Sequence, residues 1–244
     1  MVEIVKASRS KFDLSFQYSN ECDLHCSFCM YSCGPEVKDR LDLDKLKSFI
    51  KTIDFGKCIN SIGLYGGEVS LHLEEYTKIV KMLPKETKVW TITNGTWSKE
   101  LDKGEKFLTW AKNNNISPII VSGNYEQQNS QDTEWLVILQ RLIPSVIILK
   151  ESDAEFLSMG RLANQKVSCS EKCFWKEDQA TRIAVMPSGN IMFQTCDGSY
   201  PIVGNITEDF TTIAGRLENF DGFDCANCIK AHGNKICIDN QTLI

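Results

Sequence analysis

The chain contains no apolar run approaching the roughly 18 residues that a membrane-spanning helix needs, so the sequence offers no helical anchor. It lacks a positive excess as well. A net charge of −5 and a pI near 5.4 leave no basic field to hold nucleic acid or an anionic lipid surface. Residues 1–9 have no apolar core of the kind a secretory signal carries, and a cytoplasmic protein is expected. No internal repeat or low-complexity tract breaks the chain, which excludes a solenoid or a disordered tail as its main feature. Histidine is scarce, with three in all; His72 and His232 stand outside any motif and read as surface or packing residues.

Against these absences, cysteine is abundant, with eleven residues. A disulfide framework would need an oxidising compartment, and neither the missing signal nor the odd count supports one. The cysteines fall into two sets, Cys22 to Cys33 and Cys169 to Cys237, with Cys58 alone between them. Short-spaced cysteines in a reducing compartment are metal ligands, and two sets suggest two sites. Cys58, at the end of a helical stretch, reads as a buried small hydrophobe.

The apolar pattern alternates between two periods. Leu14, Phe16 and Tyr18 alternate with polar residues, and 59–65, 89–93, 116–121 and 146–149 are short β-branched or apolar runs. Between them, Leu43, Leu46, Ile50 and Ile53 recur at helical spacing behind Asp42 or Asp44, and 76–83, 99–112 and 135–142 follow the same rule. Strands alternating with helices predict an α/β protein of parallel βα units, as an open wound sheet or as a full or partial barrel. The composition shifts near 155–166. Beyond it, Pro187-Ser188-Gly189-Asn190 predicts a hairpin between 183–185 and 191–193.

Cys22, Cys26 and Cys29 form a C-x3-C-x2-C run directly after the first strand. Three thiolates on one tight loop can hold three irons of a 4Fe–4S cube and leave the fourth iron open to a ligand. Zinc is the plainer alternative, with His25 as a conceivable fourth ligand, although its place inside the Cys22–Cys26 span makes it a loop residue. Cys33 extends the run and reads as a bystander, a spare ligand or a hydrogen-atom donor.

The spacing resembles the radical S-adenosylmethionine superfamily, and further segments add to the likeness. Phe28 stands just before the third cysteine, where the family has an aromatic residue near the adenine. Gly66-Gly67-Glu68 resembles the family's GGE segment, whose carboxylate would accept the ammonium of S-adenosylmethionine. Thr93-Asn94-Gly95 resembles the TNG segment, and Ser122 stands where relatives place a serine near the ribose, though Asn124 replaces their Asp. Each of these segments lies at the end of an expected strand, where parallel βα folds bind ligands.

The likeness continues toward the C-terminus. Met159-Gly160-Arg161-Leu162-Ala163, Cys173, Cys196 and the pair Cys225 and Cys228 resemble the auxiliary-cluster module called SPASM, or its shorter form, twitch. The Gly189–Cys196 interval is longer than the family's, and only Cys237 follows Cys228, so twitch with one cluster fits better. Cys173, Cys196, Cys225 and Cys228 are the expected ligands of that auxiliary 4Fe–4S cluster; Cys169 rivals Cys173, and a zinc ribbon is the alternative.

The resemblance implies a partial (β/α) TIM-like barrel of five or six βα units over 1–156 and a small twitch/SPASM-like iron–sulfur domain over 157–244. It also implies reductive cleavage of S-adenosylmethionine to a 5′-deoxyadenosyl radical that abstracts a substrate hydrogen atom. The expected outcome is oxidative modification of a ribosomally made peptide: a cross-link, a thioether or a dehydrogenation. Alternatives are an aminocyclitol-type dehydrogenase, or an epimerase in which Cys237 or Cys33 returns a hydrogen atom. An iron–sulfur electron carrier and a zinc-ribbon binding protein are the non-enzymatic ones. A peptide or small-molecule substrate and an electron donor such as flavodoxin or ferredoxin are the implied partners, with no nucleic acid and no membrane. About twelve residues precede the first strand, which leaves no leader-gripping domain there and tilts toward a compact substrate or short peptide.

Overall fold

The computed structural model describes residues 11–123, 125–149, 181–194 and 200–218, together with the backbone of β1 (Ile4–Val5) and β10 (Phe223–Asp224), which pair antiparallel. Five strands form in the order the periodicity predicts: β2 (Phe12–Gln17), β3 (Ile59–Tyr65), β4 (Val89–Thr93), β5 (Ile116–Val121) and β6 (Val146–Ile148). Each pairs parallel with the next. The helices between them are α1 (Leu43–Ile50), the short α2 (Phe55–Cys58), α3 (Leu73–Met82), α4 (Leu101–Asn113), the short α5 (Tyr125–Gln128) and α6 (Thr133–Leu142).

Local chemistry sets several of these boundaries. The Asp42 carboxylate accepts from the backbone N–H groups of Asp44 and Lys45 and so starts α1. Asp132 does the same for α6 through the N–H of Trp135. In α1, α3 and α4 the residues at helical spacing are the buried ones: Leu46, Phe49 and Ile50; Tyr76 and Ile79; Phe107, Trp110 and Ala111.

The strands expected as a hairpin form β7 (Thr181–Val185) and β8 (Asn190–Phe193), with Ile183 opposite Phe193 and Val185 opposite Ile191. A further strand, β9 (Ile202–Asn205), pairs with β8, and α7 (Phe210–Glu218) follows. Alternation along the chain could not show that β7 lies parallel to β2, with Leu14 opposite Ile183 and Phe16 opposite Val185. The result is one open eight-stranded sheet ordered β6-β5-β4-β3-β2-β7-β8-β9. The expected domain boundary at 156/157 lies outside the described residues.

Register divides the sheet into two faces. Leu14, Phe16, Ile62, Leu64, Ile119, Val121, Ile183, Val185, Ile191 and Phe193 share the face covered by helices and join one core. α7 docks on that same core: the Phe210 ring meets Phe12 edge-on at 5.6 Å and Phe49 at 6.1 Å. The opposite face carries Ser15, Gln17, Tyr65, Trp90, Ala184 and Met192, and its apolar members form a separate, smaller cluster around Tyr65, Ala184 and Met186. Because β2 to β5 are parallel, their C-terminal ends lie along one edge of the sheet. Cys58 is half-buried at the end of α2 rather than sealed in the core.

Candidate iron–sulfur site at the strand ends

The loop leaving β2 closes on itself before α1 begins. Cys22 N donates to Gly34 O at 3.1 Å and Gly34 N to Asn20 O at 3.2 Å, so the segment holding Cys22, Cys26 and Cys29 is a closed loop. A turn from Cys29 N to Cys26 O tightens its tip, where Phe28 sits half-buried. Cys22 and Cys26 are buried and Cys29 is half-buried, and these residues stand as thiols rather than cystines.

Asp39 holds the start of the loop. Its carboxylate accepts from Asn20 N at 2.7 Å, Asn20 Nδ2 at 2.6 Å and Ser19 Oγ at 3.2 Å. Glu21 pairs with Lys38 and Arg40, and these ion pairs pull its carboxyl below the ordinary value. Asp39 follows the cysteine run but belongs to no short motif, and no local pattern marks it.

The GGE segment lies under this loop. Gly67 N donates to Ser19 O at 2.8 Å and Glu68 N to Glu21 O at 2.9 Å. A Cβ on Gly67 would stand 1.9 Å from the Glu21 carbonyl oxygen, so only glycine fits. The close approach that this glycine permits is to the cysteine loop itself. Gly66 is its neighbour, beside the Ser19 carbonyl and the Tyr76 hydroxyl.

Glu68 is buried and joins the ends of two strands. Its Oε1 accepts from Ser70 N at 2.9 Å and Thr93 Oγ1 at 2.7 Å, and its Oε2 from Asn94 N at 2.8 Å. Burial raises the Glu68 carboxyl above its usual range, and these three donors offset only part of that rise. A carboxylate offers about four acceptor positions, so Oε2 keeps room for one more donor.

Asn94 reaches the first cysteine. Its Nδ2 lies 2.7 Å from Asp23 Oδ1 and 3.6 Å from Cys22 Sγ. Gly95 follows with φ +74°, a left-handed turn that its lack of a side chain allows. Ser122 N donates to Thr93 O at 2.9 Å, which sets Ser122 on the same edge as Asn94. Gln131, also unforeseen, ties the two together: its Nε2 donates to Asn94 O and Ser122 O, both at 2.6 Å. Cys22, Cys26, Cys29, Phe28, Gly66, Gly67, Glu68, Thr93, Asn94 and Ser122 therefore lie along one edge. Cys169, Cys173, Cys196, Cys225, Cys228 and Cys237 lie outside the described residues.

The donor set fits an iron–sulfur cluster. Sulfur atoms on this loop receive N–H groups: Leu24 N to Cys22 Sγ at 3.4 Å, Asn94 Nδ2 to Cys22 Sγ, and Cys33 N to Cys29 Sγ at 3.2 Å. Such donors stabilise thiolate sulfur and are a usual surrounding of protein-bound clusters. Burial pushes the Cys22 thiol up to about 12. His25 turns to Glu36, 3.5 Å away at the surface, which disfavours it as a zinc ligand. No group of three His, Cys, Asp or Glu side chains among the described residues converges as a single-ion site.

Beside the loop, on the face opposite the main core, Tyr31 stacks on Tyr65 at 6.1 Å, and Tyr65 leans on Trp90 at 6.4 Å. Gln194 on the β8 side donates to the hydroxyls of both tyrosines. Nothing in the local sequence pattern marked this group.

A family model described as a 4Fe-4S single cluster domain matches residues 14–141, more than half of the chain. No curated protein matches the sequence. Among solved structures, hexahistidine-tagged anSMEcpe with bound AdoMet is similar at a TM-score of 0.49 and 14% identity, over 86% of this chain and 82% of that one. SuiB of Streptococcus suis bound to S-adenosylmethionine is similar at a TM-score of 0.31 and 12% identity, over 75% of this chain and 60% of that one. No helix among the described residues is long and apolar enough to cross a membrane. With the family model spanning the cysteine loop and every strand end that meets it, the chain belongs to the 4Fe-4S single cluster domain family, on the same residues that carry its radical S-adenosylmethionine resemblance.

Proposed function

We propose that this chain is a radical S-adenosylmethionine enzyme. Cys22, Cys26 and Cys29 hold its first 4Fe–4S cluster, and Phe28, Gly66, Gly67, Glu68, Thr93, Asn94 and Ser122 line the cofactor site. One observation carries the reading: a three-cysteine loop, with N–H donors on its sulfurs, rests directly on the Gly66–Glu68 turn and the Thr93–Asn94 strand end. When bound, the cluster supplies the electron that cleaves S-adenosylmethionine to a 5′-deoxyadenosyl radical.

The chain's own residues do the positioning. Glu68 Oε2 offers its remaining acceptor position to the ammonium of S-adenosylmethionine. Gln131 keeps Asn94 and Ser122 at a fixed separation, so contacts from two strand ends are pre-set rather than assembled on binding. The sheet face opposite the main helical core, beside the loop, receives the substrate. Tyr31, Tyr65, Trp90, Met192 and Gln194 offer aromatic surface and hydrogen-bonding groups there. Tyr65, Ala184 and Met186 are buried there, and exclusion of water would protect a carbon radical.

Within this class we favour oxidative modification of a ribosomally made peptide, giving a cross-link, a thioether or a dehydrogenated residue. Cys173, Cys196, Cys225 and Cys228 would hold an auxiliary cluster that takes the second electron, in a twitch-type segment over 157–244. The open parallel sheet then serves as a partial barrel over 1–156. β7 begins and β8 ends at the same end of the hairpin, the end from which the chain runs to Cys173 in one direction and to Cys196 in the other.

The test is anaerobic incubation of the reconstituted chain with S-adenosylmethionine and dithionite, read by mass spectrometry for 5′-deoxyadenosine. Steady formation by the wild type, lost in a Cys22, Cys26, Cys29→Ala triple variant, is the expected result. Fully iron-loaded protein that forms none overturns the proposal.

A further inference from the structure

Asn94 and Asp23 meet at the first cysteine of the loop. The Asn94 amide is oriented by Thr96, whose backbone N–H donates to Asn94 Oδ1 at 3.0 Å, so its Nδ2 end faces the loop. The two hydrogens of that Nδ2 serve two acceptors, Asp23 Oδ1 at 2.7 Å and Cys22 Sγ at 3.6 Å. The second Asp23 oxygen accepts from Thr96 Oγ1 at 2.6 Å. A carboxylate is thereby held 3.9 Å from the Cys22 sulfur, and an N–H donor is held against the same atom.

These two groups act on a cluster in opposite senses. An N–H directed at sulfur stabilises the more negative, reduced state, whereas a fixed negative charge beside it disfavours adding an electron. Asn94 is buried, so its amide dipole is little screened.

We infer that Asn94 and Asp23 are opposed positioning residues that set the reduction potential of the cluster held at Cys22. Asn94 raises it by donating to the sulfur, and Asp23 lowers it by its charge. The inference rests on the cluster reading above and deepens it. The same contacts hold the loop to the end of β4, with Asp23 accepting from both Asn94 and Thr96.

The experiment is an anaerobic redox titration of the full, reconstituted chain, followed by the electron paramagnetic resonance signal of the reduced cluster. The wild type is compared with Asp23→Asn and Asn94→Ala, with iron content measured for each. Asp23→Asn should shift the midpoint to a more positive potential and Asn94→Ala to a more negative one. Unmoved midpoints in both loaded variants, or shifts of the same sign, overturn the inference. Should Asn94→Ala fail to load, Asp23→Asn decides alone: a positive shift supports the inference, and an unmoved midpoint overturns it. A wild type that takes up no four-iron cluster overturns the cluster reading and the inference together, whereas loaded wild type beside unmoved variants overturns the inference alone.

Discussion

Glu68 Oε1 accepts a hydrogen bond from the Thr93 hydroxyl at 2.7 Å, which makes the turn after β3 and the last residue of β4 one buried unit. Two segments that read as separate motifs in the sequence are thus a single construction. The same hydroxyl accepts from Trp97 Nε1 at 2.9 Å, so Thr93 stands between a carboxylate and an indole.

Thr93→Val removes that hydroxyl and leaves Glu68, the Trp97 indole and the Gly95 N–H each short of a hydrogen bond. Each buried group left unpaired costs about 1–3 kcal/mol. Urea denaturation of the iron-loaded chain should show a loss in that range or above it. Thr93→Ser, which keeps the hydroxyl, should lose only about 1 kcal/mol for the missing methyl. Equal losses in the two variants would mean that the hydroxyl has no special part.

Gly67→Ala places a methyl group where the Glu21 carbonyl oxygen stands 1.9 Å away, and backbone cannot give way as a flexible side chain can. The cysteine loop must then lift from the turn. Iron and sulfide per chain after reconstitution should fall well below the wild type while far-ultraviolet circular dichroism stays unchanged. Full loading would show that the loop does not depend on this seat.

Phe210→Ala tests whether α7 belongs to the main core. The ring is buried between Phe12 of β2 and Phe49 of α1, and emptying such a site costs about 3–5 kcal/mol. A loss of that size in denaturant unfolding is the expected outcome. A loss under about 1 kcal/mol would mean that α7 is a loosely attached element.

His72 sits beside the same turn, its Nε2 3.3 Å from Glu21 Oε2 but without a well-formed hydrogen bond. Burial, and then the nearby Arg40, lower its pKa from the ordinary 6.5, so the folded chain holds it neutral. The unfolded chain therefore binds the proton first. Stability is fully present above about pH 6.5 and falls as pH drops from there toward the lower folded value. Melting temperatures compared between about pH 7.5 and pH 5.5 should fall more in the wild type than in His72→Asn. Parallel slopes would contradict this.

Much of the fold was legible because a parallel βα unit repeats one simple pattern. The runs at 59–65, 89–93 and 116–121 became β3, β4 and β5 as read, and the helical spacing of Leu46 and Ile50 marked the buried side of α1. The partnership of β7 with β2 was not legible, since pairing between strands so distant leaves no trace in periodicity. The strand-end motifs drew attention to Glu68 and Asn94 through residue type and position, but their joining depends on register between β3 and β4. Asp39, Gln131 and the Tyr31–Tyr65–Gln194 group act across long sequence separations and belong to no short pattern.

All of the proposed chemistry depends on the cluster on Cys22, Cys26 and Cys29 keeping one iron open for S-adenosylmethionine. The most direct measurement is electron–nuclear double resonance of the reduced, fully loaded chain mixed with S-adenosylmethionine carrying nitrogen-15 in its amino group. A nitrogen-15 coupling to the cluster, absent without the labelled compound, is the predicted result. A four-iron cluster with no such coupling at saturating S-adenosylmethionine would contradict the proposal.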